Sequence, residues 1–277
     1  MNKFESDDII WLVQDFGQEL DNLKQSIRKS RATLELSQLK PYEIPLFQPS
    51  QQYLNCPVIF YGSLEMANEV NKYKIYPGAL CDLSKYKCSF YYSKIYQYLL
   101  NQNHIFLPYG ELLQKQDFIF ETLGNNNSIF IRPDAGNKPF TGEVIYRERF
   151  YKEIESLSYS HIPSDLMCVI SEPINIQEEY RLFCVDKQII TGSLYKRNNQ
   201  LITSKIIPNN IIDYASKVVR EFQPERCFVI DIGLTSDGPK VIELNSFSCS
   251  GLYDSPTDNL VLRTNQVIKE IYLEYTT

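Results

Sequence analysis

The chain has 277 residues, an ordinary apolar share and a net charge of −6. That length allows two or more compact units. The acidic balance argues against a nucleic-acid partner, which asks for a basic face, but leaves room for a small anion held by a few local cations. No apolar run reaches a membrane span, and the polar, acidic N-terminus does not read as a signal peptide. Seven scattered cysteines without a Cys-x-x-Cys pair predict reduced thiols in a cytoplasmic protein, and Cys81 with Cys88 makes only half a zinc site. The two histidines, His104 and His161, lack a visible orienting partner, so histidine acid–base chemistry is not expected.

Ile9, Ile10, Trp11, Leu12 and Val13 form an apolar run suited to a buried strand. Gly17 ends it, and Leu20, Leu23 and Ile27 then recur at helical spacing. Residues 32–36 suggest a second strand, and Pro41, Pro45 and Pro49 a loop. Residues 57–62 read as another buried strand, followed by a helix capped by Ser63. Strand, helix, strand and strand in succession suit an open α/β sheet. Tyr76, Pro77 and Gly78 read as a turn, and residues 89–100 as a helix with an aromatic core face. A short strand at 105–107 and a helical turn at 111–115 close this part.

From about Gln116 short β-like runs dominate: 128–132, 166–171, 180–185, 188–195, 227–232 and 240–245, with helical patterns at 148–157 and 211–222. The expected organisation is an α/β domain over 1–115 and an α+β domain over 116–277, the latter split near 167 into 116–167 and 168–277.

One hairpin concentrates the chemistry. Val229, Ile230, Asp231 and Ile232 precede a turn at Ser236, Asp237 and Gly238; Val241, Ile242, Glu243, Leu244 and Asn245 follow. Side chains alternate along a strand, so Glu243 and Asn245 share a face. A three-residue loop, Ser236 to Gly238, sets Asp231 opposite Glu243, whereas a two-residue loop of Asp237 and Gly238 sets it opposite Leu244. Opposed carboxylates repel. A hard cation such as Mg²⁺, shared with a nucleotide phosphate, would reconcile them, with Asp231, Glu243 and Asn245 as ligands.

The polar residues at strand ends complete a pattern: Arg132 after Ile129, Phe130 and Ile131; Lys138 at the head of Lys138-Pro139-Phe140-Thr141-Gly142; Ser171-Glu172-Pro173-Ile174; then Glu179-Tyr180-Arg181. Together with the hairpin this resembles the ATP-grasp superfamily over residues 116–277, with the earlier part similar to its preceding α/β (pre-ATP-grasp) domain. The hairpin resembles the metal-binding end, and Glu179-Tyr180-Arg181 the acidic-x-Arg strand of the peptide-ligase branches. Arg132 stands where many members have lysine.

The resemblance implies a two-subdomain ATP-grasp fold with ATP and Mg²⁺ between the leaves. Arg132 and Lys138 would contact phosphates, and residues 138–142 would form a flap that lacks the usual dense glycines. The backbone from Ser171 and Glu172 to Ile174 would meet adenine, and Glu179 the ribose, with Glu178 equal by spacing alone. Arg181 would bind the transferred phosphate or an acceptor carboxylate. One of Lys196, Arg197 and Lys205 would assist the acyl phosphate, and the loop 248–251 would hold a substrate anion on its backbone N–H groups. The implied activity is an ADP-forming ligase that joins a carboxylate to an amine, on small-molecule or peptide substrates. The rival readings are a kinase-like phosphotransferase, a non-catalytic nucleotide-binding module and an RNA-modifying ligase.

Overall fold

The computed structural model describes residues 8–15, 17–37, 48–158 and 162–276. His161 and the loop expected at Pro41 and Pro45 lie outside them. The first apolar run forms β1 (Ile10–Gln14), buried along its whole length. It pairs in parallel with β2 (Thr33–Ser37) and β3 (Val58–Tyr61), and β3 with the two-residue β4 (Pro77–Gly78), giving the order β2-β1-β3-β4. A parallel strand is covered on both faces, which is why β1 up to Val13, and β3, are built from aliphatic and aromatic residues. Helix α1 (Asp21–Lys29) packs through Leu23 and Ile27, and α2 (Leu64–Val70) is capped by the Ser63 hydroxyl, which accepts from Met66 N at 3.3 Å. The expected turn at Tyr76 to Gly78 is instead the edge of this sheet, because the Tyr76 carbonyl accepts from Val58 N at 2.9 Å.

Residues 89–100 do not form one helix. The segment is α3 (Cys88–Tyr91) followed by two 3₁₀ turns, Tyr92–Lys94 and Tyr96–Tyr98. Tyr91, Tyr92, Ile95 and Leu99 are buried in one cluster. Packing of these rings sets the path, since aromatic side chains lend a helix little intrinsic support.

The second sheet is antiparallel, in the order β5-β8-β6-β7: β5 (His104–Pro108), β8 (Met167–Ser171), β6 (Ser128–Pro133) and β7 (Glu143–Tyr146). Thus β5, which precedes residue 115, is an edge strand of this sheet. Ile119 and Phe120 of α4 (Gln116–Leu123) and Phe150 and Ile154 of α5 (Phe150–Ser158) share a core with Ile129 and Ile131 of β6.

The third sheet runs β11-β10-β9-β12-β13, from β9 (Glu178–Val185), β10 (Gln188–Arg197), β11 (Gln200–Ser204), β12 (Cys227–Thr235) and β13 (Gly238–Ser246). One face, with Leu182, Cys184, Phe228 and Ile230, packs on α6 (Asn209–Glu221). The other, with Phe183 and Val229, joins the core of the first sheet, together with Phe247 just past the end of β13. Phe183 and Phe228 are wholly buried, each contributing about 1.5–3 kcal/mol by transfer from water. The C-terminal helix α7 (Asp258–Thr276), not foreseen from the sequence, returns to the first sheet, where Trp11 Nε1 donates to Asn265 Oδ1 at 2.8 Å. No helix of the described residues is long and apolar enough to cross a membrane.

The β12–β13 turn differs from the expected three-residue loop. Thr235 pairs with Gly238, so only Ser236 and Asp237 turn, and the Thr235 hydroxyl closes the turn by donating to the Gly238 carbonyl at 2.9 Å. The register then slips by one at Ile242, a β-bulge, and Asp231 faces Glu243. A second bulge in β10 leaves Tyr195 between the pairs Leu194–Tyr180 and Lys196–Glu179. A bulge re-aims the side chains beside it, and both of these lie at the same cleft.

Candidate active site

The cleft, about 640 Å³, lies between the second and third sheets. Its walls come from β6 and the following loop, the connection after β8, the bulged end of β10, and β13. Arg132, at the end of β6, is 6 % exposed; its Nη2 donates to Glu243 Oε2 at 2.7 Å and its Nη1 to the Ile242 carbonyl at 3.3 Å. The bulge thus frees a backbone acceptor for the guanidinium. Lys138 Nζ donates to Glu243 Oε1 at 2.6 Å and Asn245 Oδ1 at 2.7 Å. Its backbone is left-handed, φ 45°, in a loop held by Phe140, which is buried in the core of the second sheet, and by Asp134, which accepts from Ser89 N.

Deeper on the same strand face, Arg181 of β9 grips Asp231 with its fork, Nε to Oδ1 at 2.9 Å and Nη2 to Oδ2 at 2.8 Å. Cross-strand pairing puts Arg181, Asp231 and Glu243 in one row. Arg181 therefore pairs across strands with Asp231, not along its own strand with Glu179. Asn245 Nδ2 bridges the two carboxylates, 3.1 Å from Asp231 Oδ2 and 3.1 Å from Glu243 Oε1. The guanidinium of Arg181 also lies 5.4 and 5.2 Å from the ring centres of Tyr195 and Tyr253, which stack on each other.

The two carboxylates have opposite electrostatic fates. Burial alone would raise the Glu243 carboxyl, but the Lys138 ammonium and the Arg132 guanidinium hold it well below its usual range. Burial pushes Asp231 up, against the pull of Arg181. Burial likewise opposes the charge on Arg181, yet Asp231 holds its pKa above the ordinary value.

Glu179 lies in the cleft, accepting from Tyr195 Oη at 2.6 Å and from Lys196 Nζ at 2.9 Å. The bulge at Tyr195 lets two successive residues reach one carboxylate. Glu178 is not a cleft residue; it pairs with Arg197 Nε at 2.8 Å. Arg197 and Lys205 are exposed and do not line the cleft. Ser171 is fully buried, and neither it nor Glu172 lines the cleft, whereas Pro173 and Ile174 do. In the loop 248–251, Ser248 N donates to the Leu80 carbonyl at 3.4 Å, Ser248 Oγ accepts from Leu80 N and the Ser248 carbonyl accepts from Gly62 N. That loop is tied to the first sheet, and the Ser248 N–H is spent there.

The structure therefore brings Arg132, Lys138, Arg181, Asp231, Glu243 and Asn245 together, and Glu179 with Lys196 beside them. Sequence reasoning missed Tyr195 and Ile242, and only a bulge would have marked them.

The residues present fit a hard divalent cation. Among the described residues no three His, Cys, Asp or Glu side chains form a metal-sized group. The donor set here is the Glu243 carboxylate with the Asn245 carboxamide oxygen, both hard oxygen donors, while Asp231, also expected as a ligand, has both oxygens engaged by Arg181. Lys138 Nζ, between Glu243 Oε1 and Asn245 Oδ1, is a cation already seated on two of them.

The architecture matches solved structures over most of its length. Similar structures include D-cycloserine synthetase DcsG (TM-score 0.64, 12 % identity, covering 94 % of this chain and 100 % of that one). N5-carboxyaminoimidazole synthetase from Staphylococcus aureus, solved with ADP, matches with a TM-score of 0.61 and 16 % identity over 96 % of this chain and 79 % of that one. The ATP-grasp ligase PsnB, solved with minimal precursor, Mg and ADP, matches with a TM-score of 0.56 and 13 % identity over 96 % and 100 %. These likenesses define an ATP-grasp fold. No curated protein sequence matches the chain. Residues 115–261 match a family described as an ATP-grasp domain, the second family of its clade, and the chain belongs to that family.

Proposed function

We propose that this chain is an ATP-dependent, ADP-forming ligase that joins a carboxylate to an amine. The γ-phosphoryl group of ATP passes to a substrate carboxylate oxygen, giving an acyl phosphate and ADP. The amine attacks the acyl carbon, the C–O bond to phosphate breaks, and an amide, a proton and inorganic phosphate leave. The observation that carries this reading is the convergence of Arg132, Lys138 and Glu243 on one point of a cleft walled by two sheets, with Asn245, behind the lining, bonded to the same lysine. Phosphoryl transfer needs little more from a protein than positioning and charge neutralisation.

In this reading residues 116–171, with β5 added, and residues 172–277 are the two leaves around the nucleotide, because β8 carries the first leaf past the expected boundary at 167 to Ser171; the first sheet frames the acceptor side. Arg132 and Lys138 turn from Glu243 to the phosphates, freeing oxygen ligands. Glu243 and Asn245, with Asp231 behind them, would hold Mg²⁺, which supplies charge neutralisation at the phosphates when bound. Glu179 holds the ribose, with Lys196 beside it, and the backbone at Pro173 and Ile174 borders the base. Arg181, fixed by Asp231, keeps Nη1 for the acceptor side. Structures similar to this one carry ADP, ADP with Mg and a minimal precursor, or AMPPNP with a precursor peptide, which supports a nucleotide–metal site and suits carboxylates on small molecules or peptides.

Isothermal titration with a non-hydrolysable ATP analogue and Mg²⁺ tests the reading. Binding is expected for the wild-type chain, with loss of at least tenfold in affinity, about 1.4 kcal/mol, in the Asp231→Ala, Glu243→Ala double variant. Equal binding by the two proteins would sink the assignment.

A further inference from the structure

At the inner end of the cleft the chain crosses from α3 and its 3₁₀ turns into β5. Leu100 N donates to the Val241 carbonyl at 2.8 Å, so this crossing is fastened to β13. The next residue, Asn101, is 4 % exposed and lines the cleft beside Pro173 and Ile174. Its Nδ2 donates to Ser171 Oγ at 2.7 Å, and the Ser171 hydroxyl donates to the Glu172 carbonyl at 3.2 Å.

That relay fixes which way the carboxamide points. A serine hydroxyl has one proton, and here it is given to Glu172. Ser171 Oγ then accepts, and the amine end of Asn101 faces it. The other end, Oδ1, is the acceptor. None of the hydrogen bonds among the described residues uses it, and it is not one of the buried unpaired atoms, so it is open to the cleft that Asn101 lines. An acceptor held in place at the wall of a cleft takes a donor from whatever fills that cleft.

Resting on the nucleotide reading above, we infer that Asn101 is the residue that selects the base, with Oδ1 accepting a hydrogen bond from the exocyclic 6-amine of adenine. Pro173 and Ile174 offer the apolar border a purine ring requires, and the Ser171–Glu172 relay holds the amide against flipping. A 6-oxo purine would set its own acceptor against Asn101 Oδ1. An acceptor facing an acceptor is worse than an empty place, since neither group recovers the partner it had in water. The consequence is selection of ATP over inosine and guanosine triphosphates by a single buried amide.

The test is calorimetric binding of ATP, inosine triphosphate and the purine riboside triphosphate that lacks the 6-amine, each with Mg²⁺, to the full chain. Wild type is expected to prefer ATP to both analogues by about tenfold or more. Asn101→Ala is expected to lose most of that preference, mainly through weaker ATP binding. Asn101→Asp keeps an acceptor in place and is expected to retain the ATP preference. If wild type binds the 6-unsubstituted analogue as tightly as ATP, or if Asn101→Ala keeps the wild-type ratio, the inference falls and the ligase reading stands. If wild type binds none of the three, the nucleotide reading falls and takes this inference with it. The wild-type comparison needs no variant and can overturn the inference alone; if Asn101→Ala does not fold, Asn101→Leu, which removes the acceptor at similar volume, assigns the preference to this side chain by losing it and overturns the inference by keeping it.

Discussion

Arg132 Nη2 lies 2.7 Å from Glu243 Oε2, and that contact ties together two sheets that share no paired strand. The guanidinium also holds the carbonyl of Ile242, the bulged residue next to Glu243. One side chain therefore sets the spacing of the cleft and occupies its most buried cationic position.

Arg132→Met leaves Glu243 with Lys138 as its remaining ion-pair partner and empties a buried position. Breaking a buried pair from one side costs about 3–5 kcal/mol, so the urea midpoint should fall markedly. Arg132→Lys should not restore it, because an ammonium cannot serve the carboxylate and the carbonyl with one planar fork. A lysine variant as stable as wild type would show that the fork is immaterial.

Glu243 makes a pH-dependent contribution. Its carboxyl in the folded chain sits below the ordinary 4.5. The stability it adds is complete above that value and is lost as the pH falls through the folded one. The gap in urea midpoint between wild type and Glu243→Gln should be widest near neutrality and narrow progressively below about pH 4.5. A gap that stays constant down to the acid limit would assign it to packing rather than charge.

Lys138 and a divalent ion compete for the same oxygens. Magnesium binds oxygen at about 2.0–2.1 Å, and the ammonium already stands between Glu243 Oε1 and Asn245 Oδ1. In the absence of nucleotide, Mn²⁺ binding followed by electron paramagnetic resonance should be weak in wild type and at least several-fold stronger in Lys138→Met. With a saturating ATP analogue, which draws the lysine onto its phosphates, the two should converge. Equal Mn²⁺ binding by the nucleotide-free proteins would mean that the lysine does not guard the site.

Lys196 and Arg197 are neighbours with different duties. Lys196 meets Glu179 inside the cleft and Arg197 meets Glu178 outside it. Lys196→Ala should weaken nucleotide binding, and Tyr195→Phe, which removes one hydrogen bond to Glu179, should do so by about fivefold. Arg197→Ala should leave it unchanged. Titration of the three variants with an ATP analogue settles the order, and a strong loss from Arg197→Ala would reverse it.

Most elements were legible locally because their signals are local. The apolar run at residues 9–13, the cap at Ser63 and the β-branched strands of the hairpin each depend on neighbours within a few positions. Where a segment's shape depends on distant packing, local reading failed. Residues 89–100 have helical spacing but follow the packing of their rings under the third sheet. Helix α7 meets Trp11 through Asn265 only after the chain has closed on itself.

The sequence by itself determined the chemical inventory: two acids and an amide on one hairpin, cations at strand ends, few histidines, and an alternation that puts Glu243 and Asn245 on one face. The tertiary structure alone decided which of them meet. It placed the extra residue at Ile242 rather than in the turn, raised Tyr195 into the cleft, and sent Lys196 inward and Arg197 outward. The physical reason is that a bulge shifts register by one residue at a point chosen by packing between sheets, and one residue is the whole difference between the two faces of a strand.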